Sequence, residues 1–218
     1  MLQTVEIGIK DKRFPELLRE IPDCPGKLFC LGNIELLKEN KKIAVVGSRQ
    51  MSWYGQSMMR NLVPELVRNN WVIVSGMALG IDAEAHKICL ENKGKTIAVL
   101  ASGVNIISPK SNEYIYQNIL KNGGLIVSEY KDNTLIQNVN FLRRNRIISG
   151  MSLGVLVVEG SQRSGSLVTA KMALEQGREV MAVPGRISDE NSFTPNFLIK
   201  NGGLLVMNAD DILKNLKL

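Results

Sequence analysis

From Lys41 onward, short runs rich in β-branched residues alternate with amphipathic segments of helix length. That alternation admits few solutions, because strands that return through helices must lie parallel in a sheet covered by those helices. The expected strands are Ile43–Val46, Trp71–Ser75, Thr96–Ala101, Leu125–Ser128, Gly154–Val158, Glu179–Val183 and Leu204–Met207. The expected helices are Gly55–Arg68, Ile81–Glu91, Asn112–Lys121, Phe141–Ser149, Ser166–Gln176, Asn196–Lys200 and Asp210–Leu216. The fold class is therefore α/β, a doubly wound and mostly parallel sheet. Residues 1–40 read differently, being punctuated by Phe14, Pro15, Pro22, Pro25 and Gly26, with only Ile34–Asn40 helical. They are expected to form an irregular extension packed on the sheet edge, ahead of one core domain spanning 41–218.

Composition narrows the function classes. The longest apolar run, around Leu153–Val158, is strand-sized and broken by Gly154, and Met1–Lys10 lacks the apolar core of a signal peptide. A cytoplasmic protein without a membrane partner is expected. Cys24, Cys30, Cys89 and the lone His86 are too few and too scattered for a disulfide framework or a metal site. Lys and Arg outnumber Asp and Glu by 27 to 21, a net charge of +6 that suits a polyanionic partner as well as it suits plain solubility. The placement of the arginines must decide between the two.

Ligands of an open parallel sheet bind outside the carboxyl ends of its strands, where helix N-termini point free amides. Four of those turns are small, polar and glycine-bearing: Gly47-Ser48-Arg49, Ser75-Gly76 through Gly80, Ser102-Gly103, and Glu159 through Ser166, which includes Arg163, Ser164 and Gly165. Together they read as a track for phosphates, with backbone amides and hydroxyls as donors and Arg49 and Arg163 beside them. Lys171, five residues into the helix beginning at Ser166, is either a further cation of that track or a solvated side chain. The first turn lacks G-x-G-x-x-G and no G-x-x-x-x-G-K-[ST] loop occurs, so no dinucleotide or P-loop cofactor is expected. Asp82 and His86 share a helix face, but no G-x-S-x-G elbow accompanies them, and no catalytic role is expected.

The segment Phe141–Gly150 carries Arg143, Arg144, Asn145 and Arg146 in a row. One arginine is expected to pair with a buried carboxylate such as Glu129 or Glu159 and two to meet phosphates, and the pattern does not say which.

These motifs, in order, resemble the DNA-processing protein A (DprA/Smf) family. The likeness rests on Val45-Val46-Gly47-Ser48-Arg49, Ser75-Gly76-Met77-Ala78-Leu79-Gly80-Ile81-Asp82 with Ala85-His86, and Thr96–Leu100. It continues through Ser128-Glu129-Tyr130, Arg144–Ile148, Ser164–Ala170 and Ala182-Val183-Pro184-Gly185. The resemblance implies a Rossmann-like domain that binds single-stranded DNA, forms a homodimer and helps load the RecA recombinase in natural transformation. It points to Gly47, Ser48, Arg49, Ser164, Gly165 and Ser166 as DNA-facing. The chain departs from the family pattern at Thr194-Pro195-Asn196 and at Ser108-Pro109, and it ends at Leu218, so contacts from a C-terminal winged helix or a full N-terminal helical domain are not expected of it. A competing reading is a phosphoribohydrolase of the lysine-decarboxylase-like nucleotide fold, yet its P-G-G-x-G-T loop is absent and no carboxylate follows Ser166 until Glu175.

Overall fold

The computed structural model describes residues 2–216. Among them lie nine strands: β1 (Val5–Gly8), β2 (Lys27–Gly32), β3 (Lys42–Val46), β4 (Val72–Ser75), β5 (Thr96–Leu100), β6 (Leu125–Ser128), β7 (Gly154–Val157), β8 (Glu179–Ala182) and β9 (Leu204–Leu205). The helices are α1 (Glu16–Arg19), α2 (Trp53–Arg68), α3 (Ile81–Glu91), α4 (Glu113–Lys121), α5 (Asn138–Gly150), α6 (Gly165–Glu175), α7 (Phe193–Lys200) and α8 (Ala209–Asn215). Every expected strand and helix of the core is present, with shifts of a few residues at most at the ends. None of the helices is long and apolar enough to cross a membrane.

The strands form one sheet in the order β1-β2-β6-β5-β4-β3-β7-β8-β9. From β6 across to β9 all neighbours pair in parallel, and the antiparallel pairing begins where β2 meets β6. The core strands are buried on both faces, which is why they read as continuous apolar runs. Ala44, Val46, Val155 and Val157 point to a layer holding α1, α5, α6 and α7, where Leu18, Ile147, Ala170 and Leu198 pack. Ile43, Val45, Leu156 and Val158 point to the opposite layer, against Met59 and Leu66 of α2, Ile81 and Ile88 of α3, and Ile212 of α8. A third cluster seats α4 through Tyr116 and Ile119 against Ala98, Leu100 and Ile126.

The N-terminal segment packs on the sheet edge, but it carries more order than its prolines and glycines suggest. β2 pairs antiparallel with β6, from Phe29↔Ser128 to Gly32↔Leu125, and β1 pairs antiparallel with β2 in turn. Ile7, Leu18, Leu28 and Cys30 join the same apolar cluster as α5. Where Ile34–Asn40 was expected to be helical, a 3-10 helix runs over Ile34–Lys38.

Candidate functional site

Going outward from β3, the chain adds β4, β5 and β6 on one side and then returns to add β7, β8 and β9 on the other. β3 and β7 therefore flank a topological switch point, where loops leaving neighbouring strands diverge to opposite faces and leave a crevice. A cavity of ≈ 620 Å³ opens there. Its walls come from the loops that follow these two strands and from the first half of α5.

Eight of the expected positions line the cavity: Gly47, Ser48, Arg49, Arg144, Arg163, Ser164, Gly165 and Ser166. Ser164 caps α6, its hydroxyl accepting from the Leu167 amide at 3.3 Å. The amides of Gly165 and Ser166 lie in the first helical turn, where they have no intrahelical acceptor, so this helix end favours an anion. The hydroxyls of Ser164, Ser166 and Thr194 cluster within 3.0 Å of one another in succession. Arg49 is exposed, and its guanidinium carbon lies 5.4 Å from the ring centroid of Phe141 on the facing helix. That stacking holds the cation over an aromatic face while leaving its N–H groups free to meet phosphate. Glu190 is an acidic member of the rim.

Six expected positions lie elsewhere, and the track of four turns is corrected to a cleft made mainly by two. The Ser75 hydroxyl is fully buried and donates to the Val45 carbonyl at 2.6 Å. Gly76 makes room for the Arg144 guanidinium, which sits where a β-carbon would project. Gly80 adopts φ +74°, and a β-carbon there would collide with the Ser48 carbonyl, so it permits the close approach of the Arg49 loop from behind. The turn at Ser102 is likewise used internally, its carbonyl accepting from Ser128 at 2.5 Å. Arg143 and Lys171 are exposed but do not reach the cavity.

Arg146 is a structural residue. Its side chain is 6% exposed and is held by Asp23 at 2.8 Å and Glu129 at 2.6 Å, so its charge is already spent inside the fold. Burial works against the charged guanidinium, yet the two carboxylates outweigh it and raise its pKa. Glu159, the other candidate partner, does not meet an arginine but accepts from the backbone amide and hydroxyl of Ser52.

Arg144 forms the floor. It is 4% exposed, its Nη1 donates to the Val99 carbonyl at 2.5 Å and to the Gly76 carbonyl at a similarly close approach, and its Nε donates to Asn145 at 3.2 Å. Burial lowers its pKa to about 10, with Asp82 acting in the opposite sense. It stays cationic at neutral pH. Burial raises the pKa of Asp82, against the pull of Arg144 and of the Gly76 and Ala78 amides that it accepts. Asp82 is thus engaged with backbone, and His86 faces Thr96 at 2.7 Å instead of Asp82. Because the Thr96 hydroxyl donates to the Ile73 carbonyl, the histidine contributes its own Nδ1–H to that contact. The residues of a hydrolytic triad are therefore not assembled around His86, and Glu175 lies exposed on α6 outside the cavity.

Sequence reasoning missed Phe141, Asn145, Gln50 and Asn191 as wall residues. Phe141 had a legible signal, an aromatic directly before the arginine run; Asn191 reaches the cavity from the distant β8–α7 connection.

The family model described as DNA recombination-mediator protein A matches residues 6–217. Protein Smf of Escherichia coli is 47% identical over 94% of this chain, which spans only about half, 54%, of that relative's length. The solved structure of DNA processing protein A from Streptococcus pneumoniae superimposes with a TM-score of 0.93 at 41% identity, covering 99% of this chain and 75% of that one. A Helicobacter pylori DNA processing protein A structure, reported for its single-stranded DNA binding mode, superimposes with a TM-score of 0.88 at 29% identity over 98% of this chain and 95% of that one.

Proposed function

Since this chain belongs to the DNA recombination-mediator protein A (DprA/Smf) family, we propose that its switch-point cleft grips the sugar–phosphate backbone of single-stranded DNA. The observation that carries this reading is the convergence of Arg49, poised over Phe141, with Arg163 and the free amides of α6 around one cavity. Cations and backbone donors read phosphates without regard to sequence, while an aromatic at the same site offers a stacking face to an unpaired base. The protein acts in this reading as a binding module and not a catalyst, in the cytoplasm, delivering the strand to RecA as a recombination mediator in natural transformation. Self-association is assigned to the side chains of α7, where Phe193 and Phe197 stack at 6.0 Å and are each 41% exposed. Two clefts on one dimer raise the effective concentration of the second contact.

The test is an electrophoretic titration of single- and double-stranded oligonucleotides at matched salt, for the parent protein and Arg49→Ala. The expected result is tighter binding to the single strand, weakened roughly tenfold by Arg49→Ala through loss of a charge-assisted contact, at an unchanged melting temperature. Equal or tighter binding to the duplex overturns the proposal. Acceleration of RecA assembly on DNA coated with single-strand-binding protein tests the mediator role.

A further inference from the structure

α2 begins at the far end of the loop that carries Ser48 and Arg49, and a sixteen-residue helix would normally offer its own amino end to an external anion. Here the protein fills that place itself. Glu159, the first residue beyond β7 and its Val158 extension, is 4% exposed and directs its carboxylate at the start of α2. One oxygen accepts from the Ser52 amide at 3.0 Å and the other from the Ser52 hydroxyl. The same hydroxyl accepts from the Gly55 amide at 3.1 Å, so Ser52 caps the helix while Glu159 holds the cap. A β-carbon on Gly55 would lie 2.5 Å from that carboxylate, which explains a glycine in the first turn, where it otherwise costs helix stability.

We propose that Glu159 is a positioning residue for DNA binding: by pinning the first turn of α2 it fixes the Gly47–Ser52 loop against the β7 loop and so holds Arg49 over the cleft. The inference rests on the reading of the cleft given above. Its physical basis is the location of the pin. The carboxylate leaves β7 on the loop that bears Arg163 and Ser164, and it reaches across the switch point to the loop that bears Arg49. The two walls are also laced by the Asn191 amide donating to the Gln50 carbonyl at 2.9 Å, while the Gly160 amide donates to Asn191 at 2.6 Å. Glu159 is the anionic member of this link, buried where its hydrogen bonds are strong and the loss of one leaves donors unsatisfied.

A positioning role acts through Arg49, and a double-mutant cycle exposes this. Glu159→Gln keeps the shape and removes the charge, Ser52→Ala removes the cap, and Gly55→Ala keeps the carboxylate but displaces it, since the added β-carbon would lie 2.5 Å from it. Each is expected to weaken single-strand binding about five- to tenfold, and to lower the slope of log affinity against log salt by about 0.7, the loss of one phosphate contact. In an Arg49→Ala background the same changes should cost twofold or less, while in an Arg163→Ala background they should retain their full effect. Binding is measured below each variant's melting transition, and Ser52→Ala carries the cycle should Glu159→Gln not fold. Full additivity with Arg49→Ala, an unchanged salt slope or tighter binding by Glu159→Gln overturns the proposal. Failure of the parent protein to bind single strands, or parity of Arg49→Ala with the parent, overturns instead the reading on which it rests.

Discussion

Replacing Arg146 with alanine separates a structural arginine from a DNA-binding one. The guanidinium is buried, its partner Glu129 is 19% exposed and its partner Asp23 is 72% exposed, so the two contacts are unequal. Removing one member of a buried pair costs about 3–5 kcal/mol because the other charge is left without a partner, whereas a solvent-exposed partner contributes at most about 1 kcal/mol. Most of the loss therefore falls on Glu129, and about 3 kcal/mol is expected in total, at the lower end because water reaches the pair from the Asp23 side. For a chain of this size that corresponds to a fall in melting temperature of about 6–12 °C. Arg146→Lys, which keeps the charge but cannot fork between two carboxylates, should fall between. The assay is thermal denaturation by circular dichroism, paired with a single-strand titration on the folded variant. A melting temperature within about 2 °C of the parent, or a loss of DNA affinity without a loss of stability, refutes the assignment.

Gly80→Ala should destabilise the protein by about 1–3 kcal/mol, since a non-glycine residue at φ +74° is strained and its β-carbon strikes the Ser48 carbonyl; a urea midpoint equal to the parent's would show that the loop behind Arg49 yields freely. Burial pushes the pKa of His86 down to about 3, so the folded protein refuses a proton that the unfolded chain takes up near pH 6.5. The corresponding stability is present above that value and is lost as pH falls below it, by at most about 1.4 kcal/mol per pH unit. His86→Gln should flatten stability between about pH 6.5 and 5, and an unchanged slope would place the acid sensitivity elsewhere.

The core strands were legible as short continuous apolar runs, being buried on both faces, and the helices between them as segments of helix length with an apolar side. β2 was not: its sequence, Lys27-Leu28-Phe29-Cys30-Leu31-Gly32, follows Pro25-Gly26 and becomes a strand by pairing with β6, a partner nearly a hundred residues away. The start of α5 was read three residues late, since Asn138-Val139-Asn140 carries little of the apolar period that marks a helix. At the site, the four strand ends looked alike in composition, and nothing local distinguished those after β3 and β7 from those after β4 and β5. Strand order makes that distinction, and strand order is a property of the assembled sheet. The arginine run posed the same difficulty. Its spacing showed that not all three face one way, but the choice of Arg146 as the paired one depended on how α5 lies against Glu129 at the end of β6, with Asp23 added by the N-terminal segment from 123 residues away.

The sheet ends in very short strands. β9 offers two paired residues, Leu204 and Leu205, and β1 offers four, with Lys27 and Glu6 forming an ion pair at 3.0 Å across the β1–β2 ladder. Short borders with charge beside them give an incoming extended segment little main chain to copy, which protects a protein rich in β-branched runs from growing into fibrils by edge addition. The same brevity bears on the homodimer proposed above. A continuous intermolecular sheet along the β9 flank would gain only a couple of backbone hydrogen bonds, so in that proposal association draws its free energy from the rings of Phe193 and Phe197 on α7. Polar substitutions at those rings are then expected to abolish self-association and leave the sheet of each copy intact.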